Sequence, residues 1–354
     1  MAQPVLTVRA GMPPGLPDCE ARDLARLLGG PTLLHLPGRA PEPLFVSVLL
    51  HGNETTGFDA IRAILRRYGA RPLPRPLSLF IGNVAAAQEN VRTLATQTDY
   101  NRAWPGTAAP ATAEAGIMAA VVDAMRARRP FASVDIHNNT GLNPHYACVS
   151  STERPFLQLA QLFSRVVVWF ERPHGVQSTA MSALCPAVTV ECGRIGTQDG
   201  VAHATEFLEA CLRLSHFADH DVPARDIELL RTVAIVRVPR DVSISFDGSA
   251  ADLRFRDDID HLNFGLADAG TFFGTAARFD AQLDVIPGDE RPLDRAWFTY
   301  EGGDIRLARP AVPAMLTRDV AAVRLDCLCY LMERVAVPGP RPGQAQSRVT
   351  RKVS

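Results

Sequence analysis

The chain has 354 residues, 47% hydrophobic and 21% charged, which is material for two domains with substantial cores. Its 37 basic and 38 acidic residues leave a formal charge of −1, so no global field draws it onto nucleic acid or an anionic membrane. No apolar run approaches the ~20 residues of a membrane span, no secretory signal is visible and the seven cysteines form no C-x-x-C pair, so reduced thiols and a cytoplasmic location are expected.

Residues 1–43, rich in Pro and Gly, read as an N-terminal leader with a helix near 18–28. The run Leu44-Phe-Val-Ser-Val-Leu-Leu50 predicts a buried strand, His51-Gly52 a loop, and Thr56 to Tyr68 an amphipathic helix. The alternation continues with strands at 77–81, 131–136, 145–150, 165–170 and 187–190 and helices at 113–128, 154–164 and 200–215. Continuous apolar strands alternating with helices imply an α/β domain over 44–220, a mixed, mostly parallel sheet with helices on both faces. From 221 to 336, Asp and Gly punctuate short strands at 232–238, 242–246, 271–273, 282–286 and 296–300, with a closing helix near 319–334. A smaller β-rich C-terminal domain is expected there, and a disordered tail over 337–354.

Chemistry-bearing residues gather where this pattern places strand ends. His51-Gly52-Asn53-Glu54 follows the first buried strand, at the edge where open α/β sheets bind ligands. The spacing alone is weak, since His203-Ala-Thr-Glu206 repeats it on a helix face that reads as solvated surface. Asp135-Ile-His137 ends another buried strand and brings His137 to the same edge, with Asp135 as a partner behind it or a strand cap. Two His and one Glu with a fourth position open is the ligand set of a catalytic zinc ion. Taken singly, each of these residues is equally well a hydrogen-bonded structural residue.

Two further segments extend the pattern. Asp99-Tyr100-Asn101-Arg102 offers a guanidinium fork and an amide, suited to an anionic substrate group. Thr189-Val-Glu191-Cys192-Gly193 sets a carboxylate at the end of an apolar strand, the place for a general base, although a salt-bridged structural Glu fits the same pattern. Cys192 points to the opposite strand face and reads as core. His145, His174 and His261 sit near turns and read as surface or hydrogen-bonded residues.

In order and separation, His51-x-x-Glu54, Asp99-x-Asn101-Arg102, Asp135-x-His137 and Glu191-x-Gly193 resemble the zinc carboxypeptidase-like hydrolases, and most of all their succinylglutamate desuccinylase/aspartoacylase branch. The resemblance covers about residues 44–215. It implies one Zn2+ per chain held by His51, Glu54 and His137, Glu191 as base and then acid, and Asn101 with Arg102 holding a substrate carboxylate. It also implies an arginine that polarises the scissile carbonyl, for which Arg92 is the candidate. Aspartate-deacylating relatives carry another arginine about ten residues before the catalytic Glu; Met181 stands near that place, which speaks against strict aspartoacylase activity. Tyr300-Glu301-Gly302 resembles a family motif with a substrate-contacting Tyr, in an uncertain register.

The resulting expectation is a zinc-dependent hydrolase that cleaves an amide bond in a small carboxylate-bearing substrate such as an N-acyl amino acid. The alternatives are a zinc carboxypeptidase acting on peptide C-termini and a non-catalytic binding protein that keeps the fold; a thiol hydrolase built on Cys192 is remoter. Expected partners are a small molecule and neither nucleic acid nor membrane, with homo-oligomerisation left open.

Overall fold

A computed structural model describes residues 5–107, 111–293 and 295–338. In chain order, β1 (Thr7–Ala10), α1 (Leu24–Leu28) and β2 (Thr32–Leu36) precede β3 (Leu44–Val48), α2 (Thr56–Tyr68), β4 (Leu77–Ile81) and α3 (Val84–Gln88). Then come α4 (Ala113–Arg128), β5 (Ala132–Asn139), β6 (Tyr146–Val149), α5 (Arg154–Gln161), β7 (Val166–Trp169), α6 (Gln177–Ser182), β8 (Ala187–Arg194) and α7 (Gln198–Arg213). The remainder is β9 (Glu228–Arg237), β10 (Ile244–Ser245), β11 (Leu253–Phe255), β12 (Phe272–Ala276), β13 (Asp284–Pro287), β14 (Phe298–Thr299), β15 (Asp304–Leu307), β16 (Val312–Ala314), α8 (Val320–Leu325) and β17 (Cys329–Arg334).

The described strands form two sheets. The larger runs β1-β2-β4-β3-β5-β8-β6-β7-β9-β17-β16, with β13 also paired to β9; the smaller runs β10-β11-β12-β15-β14. The centre β4-β3-β5-β8 is parallel, as are β6-β7-β9, while β6 meets β8 in the antiparallel sense. This is the expected mixed, mostly parallel sheet with a β-rich region after it. Side chains show that both faces are covered. Gly57 of α2 packs against Ile136 and Val48 on one face, while Gln177 and Ser178 of α6 bond Ser133 and Thr189 on the other. Successive residues of β5 alternate between those faces, so Ser133, Asp135 and His137 share the α6 side.

Three details of the strands and helices go beyond or differ from the sequence reading. Within the segment expected as a leader, β1 and β2 extend the large sheet, β2 pairing antiparallel with β4, and Thr32-Leu-Leu-His-Leu36 is a largely buried strand. The β-rich region over 221–336 is present as expected, and its strands divide between the two sheets. Strands β9, β13, β16 and β17 belong to the large one, and only five short strands make the small one. The closing helix stops at Leu325, and Cys329–Arg334 becomes a strand because β9 offers it an open edge, which outweighs local propensity. The short α1 falls inside the helix expected near 18–28. Residues 339–354 of the expected tail lie outside the described residues.

Candidate active site at the strand ends

β3 ends in a backbone conformation that few sequences adopt. Leu49 sits in the left-handed region at φ 55°, a strain of about 1–3 kcal/mol for a branched side chain, and its carbonyl accepts the Asn83 N–H at 2.6 Å. The chain turns there and carries His51 and Glu54 over the sheet edge. Gly52 is required by close approach, since a Cβ would fall 2.2 Å from the Ala86 carbonyl carbon. Its N–H donates to the Arg92 carbonyl at 3.0 Å, tying this loop to the segment that carries Arg92.

His51, Glu54 and His137 are all buried, and one potential ligand atom from each lies within 4.8 Å of the others. Nδ1 of His51 is 2.8 Å from Glu54 Oε1, and Nδ1 of His137 is 2.8 Å from Glu54 Oε2. The other ring nitrogens turn away toward carboxylates: His51 Nε2 lies 3.1 Å from Asp99, and His137 Nε2 lies 2.8 Å from Asp135. Asp135 in turn accepts the Ser47 hydroxyl from β3 at 2.6 Å. A carboxylate behind an imidazole keeps the proton on the far nitrogen and leaves the near lone pair for a cation. Two imidazoles oriented this way around one carboxylate fit a divalent metal of borderline softness, zinc above all. Burial would raise the Glu54 pKa, but His51 and His137 override it and hold the group far below its ordinary value.

Glu191 lies on the same sheet face, opposite His137 in the β5–β8 ladder and opposite Tyr146 in the β6–β8 ladder. Burial pushes its pKa up to about 7, the nearby Glu54 adds to the rise, and the two histidines and Arg92 oppose it. The Asn139 amide donates to Oε2 of Glu191 at 3.5 Å. A carboxyl group poised near neutrality can take and return a proton. Cys192, its neighbour, is fully buried in the main core on the other face.

The Asp99–Arg102 segment closes the site from the side. The Arg92 guanidinium reaches Asp99 at 3.2 Å and Glu54 at 3.4 Å. The Gln177 N–H donates to Asn101 Oδ1 at 3.1 Å, which turns the Asn101 amide nitrogen toward His137 Nε2, 3.2 Å away. Arg102 donates to its neighbour's carbonyl and to Asp326 at 2.8 Å. Gly175 lets the α6 loop close over this segment: it has φ +75°, and a Cβ there would stand 2.5 Å from the Arg102 carbonyl oxygen.

The structure thus brings all seven candidate residues, His51, Glu54, Arg92, Asn101, Arg102, His137 and Glu191, to one cleft of about 120 Å³ or its lining. Asn101, Arg92 and Arg102 all have side chains turned to protein partners, Asn101 to the start of α6 and the two arginines to carboxylates. Tyr300 stands elsewhere, its hydroxyl oxygen accepting the Leu283 N–H at 2.8 Å beside the small sheet's core. Met181 is fully buried. His203 is half-buried rather than solvated, bonding the Phe163 carbonyl at 2.7 Å and stacking on His145. Two residues were missed as participants: Asp99, legible only as part of its motif, and Asp326, for which no local pattern gives a signal.

A mostly parallel sheet with two imidazoles and a carboxylate converging at its strand ends is the architecture of carboxypeptidase-like hydrolases. Residues 43–217 match the family described as the succinylglutamate desuccinylase/aspartoacylase catalytic domain, and that segment belongs to this family. Solved structures agree in fold. The succinylglutamate desuccinylase of Chromobacterium violaceum is 17% identical, with a TM-score of 0.56 over 85% of this chain and 87% of that one. That of Vibrio parahaemolyticus is also 17% identical, with a TM-score of 0.57 over 86% of each chain. The product-bound ectoine utilization protein EutE (DoeB) of Ruegeria pomeroyi is 14% identical, with a TM-score of 0.51 over 86% and 88%. No curated protein matches the sequence. Among the described residues, no helix is long and apolar enough to cross a membrane.

Proposed function

We propose that the chain is a zinc-dependent amidohydrolase acting on a small N-acyl amino acid. The observation that carries this reading is the convergence of His51, Glu54 and His137 beside Glu191, in a cleft that also holds Arg102. A zinc ion held by those three side chains would supply a Lewis acid able to lower the pKa of a water toward ~7.

The protein's own groups account for the rest. A Glu191 carboxylate oxygen takes a proton from the attacking water and later returns it to the leaving amine. Its raised pKa matches both halves of that task, since a group far more acidic would be too weak a base to take the proton and one far more basic would not give it back. Arg102 receives the substrate carboxylate through its guanidinium fork. Arg92, next to Glu54, stands where a cation faces the charge that develops on the scissile carbonyl oxygen; removing such a donor typically costs ~10²–10³ in turnover. Asn101 borders the site beside His137, fixed by the Gln177 N–H that donates to its side-chain oxygen. A cleft of about 120 Å³, bordered by residues of β16 and β17, admits a small amide better than a peptide chain.

The test joins metal content to turnover. Purified protein should carry about one zinc per chain, lose hydrolysis of N-acyl amino acids on chelation and regain it on zinc addition. Metal-loaded protein that hydrolyses neither N-acyl amino acids nor short peptides would refute the reading.

A further inference from the structure

The cleft has two unlike ends, and Glu191 stands at their border. On one side of it in the sheet is His137 and the charged cluster; on the other is Tyr146. From there the same face continues through neutral side chains. Thr189 lies opposite Cys148, Cys148 opposite Val168, and Val168 opposite Leu230. On the next ladder Thr232 lies opposite Met332, and Met332 opposite Val312. Tyr146, Val168, Leu230, Val312, Ala314 and Met332 form a small hydrophobic cluster of their own, distinct from the two large cores. Four of these six line the cleft. Met315 joins them in a left-handed conformation at φ 67°, and the Tyr146 hydroxyl donates to its sulfur at 2.9 Å.

The cations of the cleft are already engaged. Arg92 holds Asp99 and Glu54, and Arg102 holds Asp326, while Arg172, one-third exposed at the rim, pairs with the exposed Glu290 at 3.3 Å and leaves its Nε without a hydrogen-bond partner. A substrate with one carboxylate can share Arg102. A second carboxylate on the same amino acid would meet Asp326, Glu191 and an apolar wall, and a charge desolvated without a partner is strongly disfavoured.

Resting on the amidohydrolase reading, we propose that this wall is the side-chain subsite of the substrate's amino acid portion, and that it takes an apolar side chain, aliphatic or thioether, rather than that of aspartate or glutamate. Tyr330 joins the two halves: it packs against the apolar cluster and lies within electrostatic reach of Arg102 and Asp326. The carboxylate anchor and the wall therefore adjoin, as the carboxylate and side chain of one amino acid require. The acyl group is left to the open side of the cleft.

The test is a comparison on the zinc-loaded full chain. N-acetyl-leucine and N-acetyl-methionine should be hydrolysed with kcat/KM at least about tenfold above N-acetyl-aspartate, N-succinyl-glutamate and N-hexanoyl-glycine, the scale by which an apolar pocket separates side chains. Preference for the acidic substrates overturns the proposal, and so does preference for N-hexanoyl-glycine, which would assign the wall to the acyl group. If no substrate turns over, the amidohydrolase reading fails. Calorimetric titration with free leucine and aspartate then decides the subsite by itself: tighter leucine binding supports it, and equal, reversed or absent binding overturns it. Val168→Arg should move preference toward N-acetyl-aspartate, with Thr232→Arg as a second variant should the first fail to fold; unchanged preference in a folded variant counts against the proposal.

Discussion

The Arg102 guanidinium donates to the Asp326 carboxylate at 2.8 Å across 224 residues of sequence, so the proposed anchor for the substrate carboxylate already holds an internal one. Both side chains are about three-quarters buried. An incoming carboxylate must share the guanidinium with a like charge. Asp326→Asn keeps a hydrogen-bond acceptor and removes the charge, so KM for carboxylate-bearing substrates should fall by about tenfold, roughly the 1.4 kcal/mol of one weakened charge contact at partial exposure. Steady-state kinetics on the variant decide it, and an unchanged or higher KM would show that Asp326 serves only to orient Arg102.

Glu191→Gln keeps the shape and polarity of the side chain but cannot carry the proton. Zinc content should stay at the wild-type level while kcat falls by about 10³-fold or more, the scale lost when general base and acid are removed together. Metal analysis alongside kinetics separates this from a collapsed site. An active variant removes Glu191 from the mechanism.

Asp135 bonds His137 Nε2 from a position with no exposure to solvent. In Asp135→Asn the partner that fixes the imidazole's proton and orientation is weakened, and zinc affinity should drop by about 10–100-fold. Competition with a chromophoric chelator measures this directly. Ser47→Ala, which removes the hydroxyl that Asp135 accepts, should move affinity in the same direction by less.

His35 provides a pH test away from the site. It lies on β2 beside the Ser78 hydroxyl at 3.0 Å, and burial, aided by Arg128, lowers its pKa from 6.5 to about 4. Below pH 6.5 the unfolded chain therefore binds a proton that the folded chain refuses. This contribution to stability is complete above pH 6.5 and is lost as the pH falls toward 4. With the ring partly exposed, the loss is about 1 kcal/mol. Denaturant unfolding at pH 7 and pH 4.5 should show a smaller difference in His35→Gln than in the wild type; equal differences would mean that His35 does not titrate in this way.

Gly52→Ala should cost more than its single methyl implies. The added carbon would overlap the Ala86 backbone at 2.2 Å, so the loop between His51 and Glu54 must move. Overpacking of this kind costs about 1–3 kcal/mol. Zinc affinity should fall together with the melting temperature, and a variant stable as wild type with full metal affinity would show that the loop has room to shift.

Much of the site could be read from the chain because its ligands sit at fixed offsets from strongly patterned elements. The expected helix Thr56–Tyr68 and strand 77–81 coincide with α2 and β4, and strands β3, β5 and β8 deliver His51, His137 and Glu191 to one edge. Parallel neighbours in register bring residues that follow equivalent strand positions side by side, so short motifs separated by 50 residues or more converge without further information. Asp326 and the apolar wall were not legible in this way. Each depends on β17, which local pattern assigns to a helix and only the free edge of β9 turns into a strand.

Hydrophobic periodicity and a few polar residues at strand ends were enough to determine the α/β class and the identity of the metal-site candidates, because both are local properties of single elements. Which strands lie beside which, and therefore that β16 and β17 extend the large sheet and shape its cleft, came only from the tertiary structure. Edge pairing is a competition among distant segments, and its outcome depends on the free energy of the whole sheet rather than on any window of sequence.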